Sequence, residues 1–313
     1  MLKIYNKESG TSKLIEQKEF TPGCWIDLIK PTDEEIKKLI EEIGVKEDFI
    51  KYILDDDELP RIEIEDDQTI IFIDVPYRKS KRNFTVVDTI PLAILELNGY
   101  VITISLTDTE ALNDFKLDRV KDFSTVKRSR FIIQILYKVS VLYLKYLKNI
   151  NNEIELAEDK MFKATKNKDL AKLLVVEKSL VYITTSLKSN KVVLDKIEKG
   201  SIIQLFEDDM ELLEDAMIEN DQSIDMSNLY RDILGSMTDS FATIISNNLN
   251  VIMKFLAGIT IVLSVPTMVA SFMGMNVPLG DFATNEFAFL ILILISIVLS
   301  LFVAWILKRK NML

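Results

Sequence analysis

The residues that bear most clearly on chemistry are the polar side chains of one stretch near the C-terminal end. They recur at alternating steps of three and four residues, at Asp232, Ser236, Asp239, Thr243, Ser246, Asn250, Met253, Ala257, Thr260, Ser264, Thr267 and Ser271. A repeat of about 3.5 residues keeps one face of a helix turned toward the same axis in a left-handed supercoil. Such a face is usually apolar, so a mostly polar one predicts a water-lined pore. We call these twelve positions the polar seam.

The chemistry available to the chain is that of oxygen ligands. The sequence has no histidine and a single cysteine, Cys24, so neither a zinc site of Cys and His ligands nor an internal disulfide can form. Oxygen ligands favour hard cations such as Mg²⁺. The net charge of -10 disfavours a nucleic-acid partner and suits the attraction of cations. An enzyme is the least favoured class, because no nucleophile–base pair or phosphate-binding loop is present.

Close helix packing is a second interpretation of the seam. Small residues let membrane helices approach one another, and Thr260, Ser264 and Thr267 are each compatible with that role. Their continuity with Asn250 and Asp239 favours the pore. Two spans in one chain cannot enclose a pore, so the chain must oligomerise around this face.

The seam contains one apolar constriction and one helix-perturbing residue. Met253 and nearby Leu256 would form a narrow ring at the cytoplasmic end, suited to gating by dewetting. Pro266 leaves a carbonyl near Val262 without its helical partner, either to line a cavity or as part of a simple kink.

Two apolar runs position these residues. Phe255–Phe272 and Phe287–Leu307 contain no charged residue, and each is long enough to cross a bilayer, which takes roughly 20 residues. The predicted spans are 254–273 and 286–307, joined by an outer loop at 274–285. Lys254 and Lys308–Lys310 flank the spans, whereas Asp281 and Glu286 are the charged residues between the two apolar runs. The positive-inside rule therefore places both termini in the cytoplasm of a multi-pass protein of the cell membrane.

The rest of the chain has a soluble character, and Met1–Gly10 lacks the apolar run of a signal peptide. We expect an α+β cytoplasmic domain over 1–125, a long-helix bundle over 126–250 and a transmembrane hairpin over 251–313. Thr32 and Glu35 predict a capping box at a helix start, and Asn98-Gly99 predicts a hairpin turn. Helices are predicted at 126–165, at 169–198 and from about 208, the last continuing unbroken into the first span.

Several short segments together resemble the CorA family of magnesium channels, and the resemblance covers essentially the whole chain. The segments are Trp25-Ile26-Asp27-Leu28, Pro31-Thr32, Leu59-Pro60-Arg61-Ile62-Glu63, Tyr230-Arg231-Asp232-Ile233, Pro266-Thr267, Gly274-Met275-Asn276 and the basic end Lys308–Lys310. The Gly-Met-Asn triplet closing the first of two C-terminal spans is the most specific of them.

The resemblance implies a homopentameric funnel that carries Mg²⁺ inward. It implies a selectivity filter at Gly274, Met275 and Asn276, where neutral oxygens can select the ordered water shell of an ion that dehydrates reluctantly. The resemblance also implies a polar ring at Thr267, a lower pore at Asn250 and Met253, and an inner acidic ring at Asp239. The spacing along the seam adds Thr260, Ser264 and Ser271 to the predicted pore lining, and Leu256 lies beside Met253. The sequence departs from the family at Met273, where tyrosine is common, and at Val277-Pro278.

The resemblance also implies cytoplasmic Mg²⁺ sensing by carboxylates that bridge neighbouring subunits. One partner corresponds to Asp215, but the other falls at Lys51-Tyr52, where there is no carboxylate. Asp55, Asp56 and Asp57 lie one turn further on and are either its substitutes or a solvated acidic loop. Mg²⁺ is thus expected both as cargo and as regulator.

Three alternatives remain open at this point. Co²⁺ or Ni²⁺ are further candidate cargoes. A zinc-transporting branch shares the architecture, usually with a variant triplet. A membrane-anchored, non-transporting scaffold would have an apolar seam instead of a polar one.

Overall fold

The computed structural model describes residues 1–8, 13–81, 84–161, 167–200, 202–275, 287–310 and 312. The chain divides into two compact units, Met1–Gly235 and Ser236–Leu313. The α+β class with a long helix and a C-terminal apolar helix is confirmed, whereas the three-part division proposed from the sequence stays a prediction.

The first unit is built on a seven-stranded sheet of order β2-β1-β3-β7-β6-β5-β4. Its strands are β1 (Leu2–Asn6), β2 (Ile15–Gln17), β3 (Trp25–Ile29), β4 (Arg61–Glu65), β5 (Gln68–Lys81), β6 (Phe84–Leu97) and β7 (Tyr100–Ser105). All neighbouring strands are antiparallel except β3 and β7, which are parallel. The register of β2 against β1 is set by pairing of Ile4 with Gln17 and Asn6 with Ile15.

Local sequence signals explain the turns and the helix start that connect the strands of this sheet. The Thr32 and Glu35 capping box is confirmed, since each side chain accepts the other residue's backbone N–H. Asn98 and Gly99 both have positive φ (49° and 87°), which is the backbone form of the predicted tight turn between β6 and β7. Asp66 also has positive φ (53°) at the turn between β4 and β5.

Helices cover both faces of the sheet. Those of the first unit are α1 (Asp33–Lys38), α2 (Glu47–Ile53), α3 (Asn113–Lys116), α4 (Arg128–Met161), α5 (Asn167–Lys199) and the first part of α6 (Glu207–Met273). On one face, Phe49 and Ile50 of α2 join Ile26 and Leu28 in a single buried apolar cluster. Alternate residues of β3 point the other way, and Trp25 there packs edge-on against Phe131 of α4, with ring centroids 5.3 Å apart.

The second unit consists of the remainder of α6 and α7 (Ala288–Arg309). Both helices are long and apolar enough to cross a membrane, and their apolar windows are almost entirely exposed, unlike the core helices of a soluble protein. As predicted, α6 runs without interruption past Pro266.

Candidate ion pathway and cation sites

One face of α6 presents the predicted pore-lining side chains, and all of them are exposed. They are Asp239, Asn250, Met253, Leu256, Thr260, Ser264, Thr267 and Ser271. In a straight α-helix a heptad pattern drifts by about 20° per repeat, so the seam forms a stripe that winds gradually around α6 in the left-handed sense. Polar groups on a membrane span rarely face lipid. Either water or another helix must therefore cover the membrane-spanning part of the stripe.

The four hydroxyl groups of the span are oriented by their own helix. Each donates to a backbone carbonyl of the preceding turn, namely Thr260 to Leu256 (2.8 Å), Ser264 to Ile261 (2.8 Å), Thr267 to Ser264 (2.7 Å) and Ser271 to Thr267 (2.7 Å). A hydroxyl has one proton and two acceptor lone pairs. With the proton engaged inside the helix, the oxygen can only accept hydrogen bonds from whatever occupies the stripe.

This arrangement suits a hydrated cation. The water molecules around Mg²⁺ point their oxygens at the ion and their hydrogens outward, and the ion gives up this shell reluctantly. A wall of acceptor oxygens can bind those hydrogens without replacing a water ligand. The same wall would receive no hydrogen bond from a hydrocarbon tail.

The part of the stripe from Asp239 to Leu256 combines charged, polar and apolar side chains. Among the described residues the side chains of Asp239 and Asn250 have no hydrogen-bond or ion-pair partner, which leaves their oxygens available. Met253 and Leu256, three residues apart and therefore neighbours on one face, are 59% and 53% exposed.

Pro266 lies within α6, one residue before Thr267. Because proline has no N–H, the Val262 carbonyl lacks its usual helical partner. The Thr267 hydroxyl bonds the neighbouring Ser264 carbonyl, so it does not compensate for the missing bond.

The described part of the predicted filter is the end of α6. The helix ends at Met273, and the Gly274 and Met275 amides still donate to Ala270 (3.0 Å) and Phe272 (3.4 Å). A Cβ placed on Gly274 would meet only ordinary contacts, the nearest being the Ala270 carbonyl oxygen at 3.5 Å. The fold of a single chain therefore does not require glycine there. Asn276 and the rest of the outer loop, 276–286, lie outside the described residues.

The predicted sensing carboxylates occupy two places. Asp55, Asp56 and Asp57 follow α2, are exposed, and bring one carboxylate oxygen each to within 4.8 Å of the others. The Asp57 amide donates to Asp55 Oδ1 (3.0 Å), which fixes this turn. Asp215 is exposed on α6, and among the described residues it does not belong to the group of carboxylates whose oxygens lie within 4.8 Å of one another. A single chain does not bring the two places together.

An anchored arginine holds the acidic turn against the sheet. Arg61 of β4 forms ion pairs with Glu58 and, at 2.6 Å, with Glu63. Its guanidinium also lies over the rings of Tyr52 (4.8 Å) and Phe72 (4.9 Å). The segment that resembles the family motif is thus the structural support of the acidic turn.

A cavity of about 1130 Å³ lies beside this turn, and Asp56 and Asp57 line its rim. Its wall includes Asp74 of β5, which the sequence reasoning missed. Burial raises the pKa of Asp74 to about 6, an effect opposed by the hydrogen bond that its carboxylate accepts from Ser186. The available signal was an acid within the otherwise buried apolar run of Ile70–Val75.

The comparisons with known proteins agree with this architecture. The family model described as CorA-like Mg2+ transporter protein matches residues 22–309. The cobalt/magnesium transport protein CorA of Methanocaldococcus jannaschii is 28% identical over 296 residues, which cover 92% of this chain and 90% of that protein. The complete structure of the CorA magnesium transporter from that organism has a TM-score of 0.83 at 26% identity, covering 100% of this chain and 99% of the other.

A more distant likeness concerns the fold alone. The cytoplasmic domain of ZntB from Vibrio parahaemolyticus has a TM-score of 0.61 at 11% identity, and the match covers 78% of this chain and 98% of that domain. The family match, by contrast, extends from just before β3 to the end of α7. This chain belongs to the family of CorA-like Mg²⁺ transporter proteins.

Proposed function

We propose that this chain forms a homo-oligomeric pore that conducts hydrated Mg²⁺ across the cell membrane into the cytoplasm. The observation that carries the proposal is the row of exposed hydroxyl oxygens on α6 whose protons are all engaged within the helix. A stripe that can only accept hydrogen bonds fits the outward-pointing hydrogens of a hydrated cation. The pentameric state comes from the family resemblance.

The path begins at the outer mouth with Gly274, Met275 and Asn276. There a ring of amide and carbonyl oxygens selects the hydrated ion without stripping its shell. The ion then passes Ser271, Thr267, Ser264 and Thr260 before it meets the apolar ring of Met253 and Leu256. Asn250 and Asp239 form the last polar rings on the cytoplasmic side.

Cargo identity follows from ligand chemistry. The chain has no histidine and one buried cysteine, so the soft or imidazole ligands typical of zinc sites are missing from it. The name of the Methanocaldococcus jannaschii relative includes cobalt as well as magnesium. We therefore expect Co²⁺ to pass as well, and Ni²⁺ as a further candidate, in preference to Zn²⁺.

Regulation would use the same cation on the cytoplasmic side. Asp215 of one subunit and Asp55, Asp56 or Asp57 of its neighbour would share Mg²⁺ when its concentration is high. Shared ions would hold neighbouring subunits together and keep the apolar ring narrow. Falling Mg²⁺ would release the carboxylates, whose mutual repulsion favours opening.

The deciding experiment is Mg²⁺ flux into proteoliposomes. Asn276→Ala should remove most of the flux, and Thr267→Val, which keeps shape and deletes the acceptor oxygen, should lower it roughly tenfold. Thr185→Val is the matched control, because the exposed Thr185 hydroxyl of α5 likewise donates to a carbonyl of the preceding turn, that of Val181 (2.9 Å). Undiminished flux in Asn276→Ala would reject the filter, and absence of flux in the unmodified chain would favour the scaffold.

A further inference from the structure

The last turns of α7 carry an exposed patch in which aromatic and basic side chains are stacked. The guanidinium of Arg309 lies 5.1 Å from the ring centroid of Trp305. The indole in turn stacks on Phe302, with centroids 6.2 Å apart and planes at 22°. Residues three and four apart share a helix face, so Lys308 lies beside Arg309 on the side of Trp305. We call Trp305, Lys308 and Arg309 the basic–aromatic patch.

The positive charge of this patch is not compensated locally. Within the described residues neither Lys308 nor Arg309 forms an ion pair, and α7 contains no acidic residue. The carbonyls at the C-terminal end of α7 attract cations and offset part of the charge. Two adjacent exposed cations nevertheless remain available to an external anion.

An exposed apolar stripe leads away from the patch along the same face. Val298, Leu301, Phe302 and Trp305 are each between 55% and 65% exposed. From Val298 to Arg309 the helix rises about 17 Å at ~1.5 Å per residue, close to one leaflet of a ~30 Å hydrocarbon core. A pair of cations at the end of an apolar stripe of leaflet length matches the anionic headgroup and the acyl chains of a phospholipid.

We propose that the basic–aromatic patch binds the phosphate of an anionic phospholipid, whose acyl chains lie along the stripe. A guanidinium matches phosphate with two parallel hydrogen bonds, and Lys308 adds a point charge. The indole of Trp305 fixes the depth of the site, because tryptophan sits at the level of the headgroups. The inference requires that α7 cross the bilayer, as in the proposed function, but it does not require that ions pass.

Lys310 provides a control within the same turn. At 100° per residue it lies about 140° around the helix from Trp305. It therefore carries the same charge as Lys308 and Arg309 on a different face of the helix. A lipid site at the patch should depend on Lys308 and Arg309 much more than on Lys310. A general attraction to a charged surface would depend on all three equally.

The two tryptophans of the chain make the test direct. Trp25 is fully buried in the first unit, whereas Trp305 is exposed. The full chain is reconstituted in phosphatidylcholine vesicles with a small fraction of brominated phosphatidylglycerol, and quenching of tryptophan emission is measured. Brominated phosphatidylcholine at the same fraction is the comparison, and Trp305→Phe should remove the quenchable emission.

We expect the anionic quencher to act preferentially and to be displaced by unlabelled phosphatidylglycerol. If each cation that contacts the phosphate contributes about fivefold, Lys308→Gln with Arg309→Gln should weaken the enrichment about 25-fold. Lys310→Gln, on a different face of the helix, should weaken it much less. Equal quenching by the two brominated lipids in the unmodified chain would overturn the proposal, as would an equal loss on Lys310→Gln. Quenching does not depend on flux, so a failed transport assay leaves this test intact.

Discussion

The Ser186 hydroxyl donates a hydrogen bond to Asp74 Oδ2 across 2.5 Å and so joins α5 to β5. Two more bonds fix the same joint, because the Asn190 amide group both donates to and accepts from the Asp74 backbone (2.8 and 2.9 Å). Tyr143 of α4 also donates to the Asp74 carbonyl (3.1 Å). Asp74 is therefore a partly buried acid at the point where two helices contact the sheet.

The raised pKa of Asp74 predicts a pH-dependent stability. The folded chain binds this proton up to about pH 6, whereas an unfolded aspartate releases it near pH 4. Between those values the native state holds more protons, so this group's contribution falls as pH rises, by about 2 to 3 kcal/mol in total. Asp74→Asn should raise the unfolding temperature at pH 7.5 relative to the unmodified chain, with little difference at pH 4.

The charged groups around the cavity make a control necessary. Asp88, Glu110, Arg78 and Lys79 line the same cavity as Asp74, so an acid away from this cavity is needed to separate the effect of Asp74 from a general effect of lost charge. Asp232→Asn, an exposed acid on α6, should leave the pH dependence of unfolding as it is. A profile that is identical in Asp74→Asn and the unmodified chain would contradict the assignment.

Met253 is expected to keep the pore closed to water when cytoplasmic Mg²⁺ is high. Replacing an apolar side chain with serine lowers the free energy of hydrating the ring by ~1–2 kcal/mol per subunit. Met253→Ser should therefore raise Mg²⁺ leak roughly tenfold or more at high internal Mg²⁺. Val251→Ser is the control, because Val251 is similarly exposed (57% against 59%) but lies on the opposite side of α6. Equal leak in the two variants would show that Met253 is not the gate.

The sequence predicts the elements of this fold better than it predicts their interactions. Turn and cap signals such as Asn98-Gly99 and the Thr32 capping box depend on neighbouring residues, so they are readable locally. The contact between Asp74 and Ser186 joins residues 112 positions apart, and no local pattern contains it. The seam could be predicted because helical spacing is a local pattern. The hydrogen bonds that its hydroxyl groups donate within the helix could not be predicted, because they depend on the side-chain conformations.

Cytoplasmic Mg²⁺ should protect the chain from proteolysis through the acidic turn and Asp215. Millimolar Mg²⁺ should slow trypsin cleavage of the unmodified chain, because shared ions hold subunits together. Asp215→Ala should abolish most of that protection, and Asp56→Asn with Asp57→Asn should reduce it similarly. Asp208→Asn, an exposed acid at the start of α6, is the matched control. Protection that persists in both sensor variants would reject the regulatory site.

The membrane orientation can be tested with the single native cysteine as an internal blank. Cys24 is fully buried, and burial raises the pKa of its thiol, so a maleimide should react with it slowly. The basic residues Lys254 and Lys308–Lys310 flank the spans, and the loop between them has none, which predicts an external loop. In intact cells an impermeant maleimide should therefore label Asp281→Cys at once and Lys310→Cys only after permeabilisation. The reverse pattern would place the termini outside, and the proposed inward path of Mg²⁺ would then run from the acidic rings of α6 toward the Gly-Met-Asn motif instead.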